Sequence, residues 1–448
     1  MDTAMHHDAL HDLLSELAAR HQVPGAQLAV CHEGERFVVH AGMADTASGS
    51  VVGPDTAFPV GSLTKPFTAG LAMILVADGD ADLDEPLTGQ LPEFDAGALI
   101  TLRQLLSHTA GLPSDVPEGT SDVGGDRAVW VARHCRRRDL AHPPGTVFSY
   151  SNVGYVVVGR LVEALTGMTW QEAIGAILLE PLGLQPAFVA GPVRTGRPVA
   201  AGHAVQAARG RVVPMPEQEL PEVELPNGGL ALSAADLLMF AGLYFADCPD
   251  PKPLDRTTAN DMCFDQLAAV AVGPYGMAEG WGLGWARFGD DGSHVYGHDG
   301  TGDGTSCHLR FDPVIGSAVA LTTNANTGRT LWEDLAPRLR ALGLAVGDRP
   351  ELQPAAQPAG TSRPAAPDAC LGRYTNGDTA FEVLRGDDGG LLLSFGGAPH
   401  SELLCAPDLR FVMRELGGGA RSAGRFVTDP ATGRIDYLQI TGRLAARA

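Results

Sequence analysis

The chain has 448 residues, enough for two or three domains with a substantial core. Its 53 acidic residues outnumber the 32 Lys and Arg residues and give a formal net charge of −21. This balance argues against nucleic acid and anionic membranes as partners, because both bind clustered positive charge.

The remaining composition also limits the class of protein. The seven cysteines are scattered without any Cys-x-x-Cys pair, which fits free thiols in a reducing compartment better than a disulfide framework. The opening stretch MDTAMHHDALHDLLSELAARH predicts an amphipathic helix and lacks the basic and apolar regions of a signal peptide. No stretch approaches a membrane span, and no His, Cys or Asp cluster has metal-ligand spacing. We therefore expect a cytoplasmic protein with no metal and no cofactor.

The predicted elements follow in chain order. After the first helix, GAQLAVCH and RFVVHAG flank a short charged turn and predict a β-hairpin. Residues 66–185 predict mostly helices, residues 281–323 predict strands, and LWEDLAPRLRALGL predicts a closing helix. This order favours an α/β (α+β) fold, in which helices flank one antiparallel sheet, the two terminal helices pack on it together, and an all-helical subdomain is inserted.

Two domains are predicted. Residues 1–345 form the first, and the proline-rich residues 346–369 predict a semi-rigid, largely unstructured linker. In residues 370–448, short β-like runs (FEVL, LLLSF, RFVM, DYLQI) alternate with Gly and Asp turns. We interpret this part as a small antiparallel β domain, a barrel or a strongly curled sheet.

The stretch VGSLTKPFTA places Ser62 and Lys65 on one face at the start of a predicted buried helix. Burial and the positive end of the helix dipole both favour the neutral form of a lysine. A neutral amine can take the serine proton, and free helix N–H groups can hold the oxyanion that forms when the serine attacks an acyl carbon. Taken alone, Ser-x-x-Lys is more often a capping serine beside an unrelated exposed lysine.

Two later stretches also carry side chains with catalytic chemistry. FSYSNVGY contains Tyr150, which can relay protons, and Asn152, whose amide can hold a substrate carbonyl. YGHDGTGDGTS places His298 on a strand, followed by Gly300 and Thr301, without the features of a phosphate-binding loop. Each stretch by itself is more often structural: a core tyrosine with a turn asparagine, and a structural histidine.

In combination, the three motifs resemble the serine β-lactamase and penicillin-binding-protein superfamily. The phrases LRQLLSHTAGL, FSYSNVGYVVVGRLVEALTG and NGGLALSAADL are also similar to it, and the resemblance covers roughly residues 10–345. It implies that Ser62 is the acylated nucleophile, that Lys65 is its base, and that Tyr150 shuttles protons. The backbone N–H groups of Ser62 and Thr301 would form the oxyanion hole. Asn152 and His298 complete the implied catalytic set, and the residues implied to hold the substrate are Asn152, His298, Asp299 and Gly300.

His298 and Asp299 stand where β-lactamases and transpeptidases carry the Lys and Thr of Lys-Thr-Gly. This departure weakens the carboxylate-binding site, so efficient penicillin hydrolysis is not expected. Versions with His-x-Gly look more like the esterases, D-aminopeptidases and peptide cyclases of the same fold.

The whole chain, including its β domain, resembles the penicillin-binding-protein-type thioesterases, which carry a C-terminal lipocalin-like domain. The resemblance implies that a peptidyl thioester on a carrier domain of a nonribosomal peptide synthetase is released as a head-to-tail macrolactam, with a D-residue at the acyl-donor C-terminus. One alternative is a hydrolase of the same fold: a D-stereospecific peptidase, an esterase or a weak β-lactamase. Other acyl transfer and a non-catalytic ligand sensor are further alternatives.

Overall fold

The computed structural model describes residues 6–120, 126–185, 187–189, 197–206, 209–215, 219–248, 253–289, 294–347, 368–416, 421–429 and 432–448. In these ranges the α-helices are α1 (His7–Arg20), α2 (Thr64–Ala77), α3 (Leu102–Leu106), α4 (Arg127–His134), α5 (Asn152–Thr166), α6 (Trp170–Ala173), α7 (Leu225–Gly228), α8 (Ala234–Gly242), α9 (Arg256–Cys263) and α10 (Gly328–Ala341).

The strands fall into two groups. Those of the first domain are β1 (Gly25–His32), β2 (Glu35–Asp45), β3 (Ser50–Val51), β4 (Phe58–Pro59), β5 (Ala187–Phe188), β6 (Gly202–Gln206), β7 (Arg211–Met215), β8 (Leu230–Leu232), β9 (Gly280–Trp281), β10 (Ala286–Phe288), β11 (Val295–Gly302), β12 (Thr305–Asp312) and β13 (Ser317–Thr323). Those near the C-terminus are β14 (Gly372–Asn376), β15 (Thr379–Arg385), β16 (Leu391–Phe395), β17 (Ala398–Cys405), β18 (Arg410–Glu415), β19 (Arg421–Thr428), β20 (Ile435–Ile440) and β21 (Arg443–Arg447).

One antiparallel sheet organises the first domain. Its strand order is β3-β2-β1-β13-β12-β11-β10-β9, so the predicted N-terminal hairpin pairs with the late strands through β1 and β13. The two terminal helices pack together on one face, where Leu14 of α1 and Leu335 of α10 belong to the same buried cluster as Leu28 and Leu321 of the sheet. The predicted sheet and its two terminal helices are confirmed.

The helical region covers the other face of the sheet. Helix α2 is buried along nearly its whole length, because apolar side chains occupy every side of it and α5, α7 and α8 surround it. Helix α5 begins after Ser151, whose side chain caps it, and ends at Gly167 in the left-handed conformation with φ of 69°. The buried position of α2 fixes the place of Ser62, which lies in the 3₁₀ turn Gly61–Leu63 directly before that helix.

The C-terminal strands β14 to β21 form a closed antiparallel barrel, which confirms the predicted barrel. Each strand pairs with the next along the chain, and β21 returns to β14 through the pair Thr375 and Ala446. The barrel interior is filled by its own apolar cluster, including Tyr374, Leu393 and Phe411. The predicted linker lies mostly outside the described residues, since residues 348–367 are not among them.

The barrel is joined to the first domain by hydrogen bonds between buried groups. The Asn376 side chain accepts a hydrogen bond from the Ser114 backbone N–H at 2.6 Å and donates one to the Leu444 carbonyl at 2.6 Å. The Ser149 hydroxyl accepts from the Leu444 N–H at 3.1 Å, and the Gly442 carbonyl accepts from the Tyr150 N–H at 3.0 Å. The barrel is therefore bonded to the segment that carries the Tyr-x-Asn motif.

Two further features concern the described residues. All seven cysteines lie within them and none is in a disulfide. Among the helices of the described ranges, none combines the length and the apolar character needed to cross a bilayer.

The hydrogen bonds of Asn376 between the barrel and the first domain predict that this residue stabilises the fold. Changing Asn376 to Ala leaves a buried N–H and a buried C=O without partners, and each unpaired group costs about 1–3 kcal/mol. We expect the free energy of unfolding to fall by about 2–5 kcal/mol, measured by urea denaturation. The matched control is Asn260→Ala on the exposed surface of α9, which should change little. Equal unfolding midpoints for the two variants would contradict this role of Asn376.

Candidate active site

The Ser62 turn brings a nucleophile and a base together. Lys65 is the second residue of α2, and Pro66 follows in the first helical turn, where its missing N–H has no helical partner to lose. The Lys65 Nζ lies 3.0 Å from the Ser62 Oγ and donates a hydrogen bond to the Asn227 carbonyl at 2.8 Å. These contacts hold the amine against the serine hydroxyl, as the i,i+3 spacing predicts.

The Lys65 side chain is fully buried. Burial is the largest cause that holds the pKa of its amine well below the ordinary value of 10.5, and the positive charge of Arg443 adds to the effect. A lowered pKa makes a neutral amine available at lower pH, so the lone pair on Nζ can accept the Ser62 proton.

Tyr150 faces the same pair of residues. Its hydroxyl is hydrogen-bonded to Ser62, and the Lys65 Nζ lies 5.1 Å from the centroid of its ring. Burial raises the pKa of the phenol well above its usual range, while the bond to Ser62 and the charge of Arg443 oppose that shift. The phenol therefore keeps its proton at neutral pH and is placed to pass a proton between Ser62 and a leaving group.

His298 completes the group from strand β11. Its Nδ1 lies 2.6 Å from the Asp299 carbonyl, and because a carbonyl only accepts, Nδ1 carries the proton. Nε2 is then an acceptor, buried and without a partner among the described residues. Burial, and secondly the nearby Lys65, lower the pKa of His298 to about 3. The imidazole is neutral at physiological pH and can accept a hydrogen bond at Nε2.

The backbone of strand β11 lies directly against the backbone of the Ser62 turn. A Cβ on Gly300 would lie 1.8 Å from the Val60 carbonyl oxygen, so no larger residue fits there without moving the strand. A Cβ on Gly61 would lie 2.2 Å from the Thr301 carbonyl oxygen. The close approach brings the Thr301 backbone beside Ser62, where the oxyanion hole was predicted. The role of its N–H stays a prediction.

Two predicted substrate-binding residues are engaged with other side chains. The Asn152 Nδ2 donates to the Asp115 carboxylate at 2.8 Å, and its Oδ1 is buried without a partner among the described residues. The Asp299 carboxylate lies 2.8 Å from His308 Nδ1 and 2.8 Å from an Arg310 guanidinium nitrogen. Asp299 thus neutralises a buried arginine, and its predicted contact with substrate stays a prediction.

The structure adds Arg443, which sequence reasoning missed. Strands β20 and β21 are joined by the two-residue turn Thr441–Gly442, both with positive φ, as in the type I′ turns of tight hairpins. This turn delivers Arg443 to 5.1 Å from the Tyr150 ring centroid, where its Nε lies 3.7 Å from an Asp115 oxygen. In the sequence, the only indication of this turn was a Thr-Gly pair between two β-like runs.

His108 is a second residue that sequence reasoning missed, although it stands in the quoted phrase LRQLLSHTAGL. Its Nδ1 accepts a hydrogen bond from the Ser151 N–H at 3.1 Å, and its ring centroid lies 4.3 Å from that of Tyr150. Its backbone is in the left-handed region with φ of 57°. Burial holds the pKa of His108 well below its usual value, so a neutral ring supports the Tyr-x-Asn segment.

These side chains surround one cavity of about 220 Å³. Ser62, Tyr150, His298 and Thr301 line its polar side. Its apolar side is formed by Met277, Trp281, Ala286 and Phe288, and Arg329 and Arg443 add positive charge. Four of the five predicted catalytic side chains, Ser62, Lys65, Tyr150 and His298, are thus brought together, and the fifth, Asn152, begins the adjoining helix α5. The arrangement suits acyl transfer through an acyl-serine.

Comparison with known proteins now assigns the family. A sequence model described as Beta-lactamase matches residues 10–344. The chain belongs to the beta-lactamase family. Penicillin-binding protein 4 of Amycolatopsis lactamdurans is 33% identical over 351 residues, which cover 76% of this chain and 91% of that protein. Esterase EstB of Burkholderia gladioli is 30% identical over 72% of this chain and 92% of its own length.

A solved structure extends the similarity to the whole of this beta-lactamase-family chain. The crystal structure of SurE has a TM-score of 0.86, 38% sequence identity, and coverage of 99% of both chains. SurE has also been solved with D-Leu. The match spans the barrel as well as the family domain.

The buried amine predicts a pH-dependent stability difference. Folding lowers the Lys65 pKa, so the unfolded chain binds this proton more tightly than the folded chain does, and the resulting cost to stability shrinks as pH rises toward 10.5. We expect Lys65→Met to remove acylation and to raise Tm at pH 7, with the Tm difference narrowing by pH 10. Scanning calorimetry from pH 6 to 10 measures it. A difference that stays constant over that range would contradict the buried, titrating amine.

Arg443 predicts a shift in the pH profile. Its charge lowers the Lys65 pKa, so removing the charge raises that pKa and the neutral base is lost at a higher pH. We expect the acid limb of kcat/KM for a small activated ester to move to higher pH in Arg443→Gln. Arg443→Lys, which keeps the charge, is the matched control and should retain the wild-type limb. If the acid limb of kcat/KM does not move in Arg443→Gln, the charge of Arg443 does not influence the pKa of the base.

Proposed function

We propose that this chain is a cytoplasmic peptide cyclase of the penicillin-binding-protein-type thioesterase group. Ser62 would take a peptidyl group from a thioester on a carrier domain of a nonribosomal peptide synthetase and release it as a head-to-tail macrolactam. The observation that carries the proposal is the end-to-end similarity to SurE, since it includes the barrel that other members of the family domain need not have. The catalytic domain with its attached barrel is the architecture expected of that group.

The acylation step follows from the placement of the protons. The Ser62 Oγ attacks the thioester carbonyl, its proton passes to the Lys65 Nζ, and the backbone N–H groups of Ser62 and Thr301 hold the oxyanion. The C–S bond breaks as the thiolate takes up a proton relayed through Tyr150, which is hydrogen-bonded to Ser62. The products are a serine ester of the peptide and a free carrier thiol.

The second step releases the ring. The peptide N-terminal amine attacks the ester carbonyl, an amide bond forms, and the ester C–O bond breaks. The neutral His298, with an Nε2 that accepts, is placed to accept a hydrogen bond from the attacking amine. The proton that the amine loses passes through Tyr150 to the Ser62 Oγ, because the phenol takes up one proton as it gives its own to the serine, so the site returns to its starting state.

The product depends on whether the peptide amine or a water molecule attacks the acyl-serine. Water is present at about 55 M, so aminolysis wins when the folded peptide gives its amine a higher effective molarity; well-oriented systems reach about 10⁵ M or more. The apolar walls from Trp281 and Phe288 favour this outcome, because they limit the space for water beside the acyl group. The structure of SurE with D-Leu supports a D-residue at the acyl-donor C-terminus.

A hydrolase of the same fold is the second candidate. The similarity to Esterase EstB favours it, because its match covers most of both chains. The same acyl-serine would then be resolved by water, with His298 accepting a hydrogen bond from the water molecule and the proton passing through Tyr150 to the Ser62 Oγ. Geometry of the free site is the same for both reactions, so the products decide between them.

The deciding experiment follows the products of one peptide in three forms. A linear peptidyl thioester with a free N-terminus and a D-residue at its C-terminus should give mainly macrolactam. The N-acetylated form should give slow hydrolysis, and the form with a C-terminal L-residue should acylate slowly. Liquid chromatography with mass detection measures ring and free acid.

Ser62→Ala is the control for the same assay. It should form neither the acyl-enzyme nor the ring, because the nucleophile is absent, and it should keep its fold, because Ser62 is the N-cap of neither the 3₁₀ turn nor α2. Free acid as the main product of unblocked peptides of several lengths would replace the cyclase with the hydrolase.

A further inference from the structure

A second cavity of about 120 Å³ lies where the barrel opens toward the catalytic domain. Phe381 of β15 and Leu438 and Ile440 of β20 form its apolar wall on the barrel side. Ser114 and Asp115 close it from the catalytic side. We name this cavity the barrel-mouth pocket. It has no part in the acyl-transfer steps described above.

The barrel-mouth pocket adjoins the cavity at Ser62. Thr441 and Arg443 line both cavities, so the β20–β21 turn lies between them. A peptide held at Ser62 by its C-terminal carbonyl extends away from the serine by at most about 3.6 Å per residue. A residue a short distance upstream of the acyl carbonyl therefore has this pocket beside it.

The residues that line the barrel-mouth pocket indicate which kind of chemical group can bind there. A cavity of about 150 Å³ lined by apolar side chains is known to bind benzene, so a space of about 120 Å³ is suited to a single aliphatic side chain. The pocket also contains a polar atom that could bind a ligand: the Ser114 Oγ is buried and has no hydrogen-bond partner among the described residues. The main chain of a bound peptide carries both donors and acceptors that would satisfy it.

We propose that the barrel-mouth pocket binds one aliphatic side chain of the peptide, upstream of the residue that is joined to Ser62. The inference rests on the proposed peptide cyclase and deepens it, because it makes the barrel a determinant of peptide sequence. Substrate selection then has two parts: the cavity at Ser62 contacts the acyl-donor residue, and the barrel contacts a residue further along.

The test places leucine at successive positions of an otherwise glycine-rich peptidyl thioester and measures kcat/KM for acylation. In the wild type, leucine at one position should raise kcat/KM about tenfold over glycine, a modest part of what burial of an aliphatic side chain contributes. Thr379→Phe and Ile440→Phe fill the pocket from half-buried positions. Both should reduce the leucine peptide to the rate of the glycine peptide, and leave the glycine peptide and a small activated ester unchanged.

Thr428→Phe on the exposed side of β19 is the matched control and should keep the leucine preference. Peptide turnover without a preference at any position would overturn this inference and leave the cyclase standing. An equal loss on every substrate in the filled variants would also overturn it, since the pocket would then only support packing. Turnover of the small ester with no acylation by any peptidyl thioester would overturn the proposed function and this inference with it.

Discussion

The buried contact between the Lys65 amine and the Ser62 hydroxyl imposes the main constraint on this structure. A lysine that is fully enclosed holds its proton less tightly than it does in the unfolded chain, which costs free energy that the rest of the core offsets. Helix α2 is accordingly apolar on every side and surrounded by other helices. The Asn227 carbonyl gives the amine a second partner, so its direction toward Ser62 is fixed.

The same burial sets where the protons lie in the whole site. It lowers the pKa of Lys65 and of His298, and the charge of Lys65 lowers that of His298 further, while burial raises the pKa of Tyr150. At neutral pH the histidine is therefore an acceptor and the phenol a donor. The positive charge of Arg443 lowers both the Lys65 pKa, where it adds to burial, and the Tyr150 pKa, where it opposes burial.

The barrel contributes directly to this arrangement. Its β20–β21 turn holds the Tyr150 backbone through the Gly442 carbonyl and delivers Arg443 to the Tyr150 ring. Asn376 bridges the loop at Ser114 and strand β21, so the barrel is hydrogen-bonded to the segments of the candidate active site. The second domain thus lines part of that candidate site, and a cavity at the barrel mouth lies beside it.

The sequence by itself determined the elements and the main catalytic set. Local signals specified the N-terminal hairpin and the start of α2, because turn and periodicity preferences act over a few residues. The spacing of Ser62 and Lys65 and the family motifs predicted the residues that the structure brings together. Arg443, His108 and the carboxylate partners of Asn152 and Arg310 were decided only by the tertiary structure. Each depends on contacts between segments that lie far apart in the chain. No local sequence pattern predicts that the start of β21 packs against Tyr150, or that Asp299 pairs with the buried Arg310.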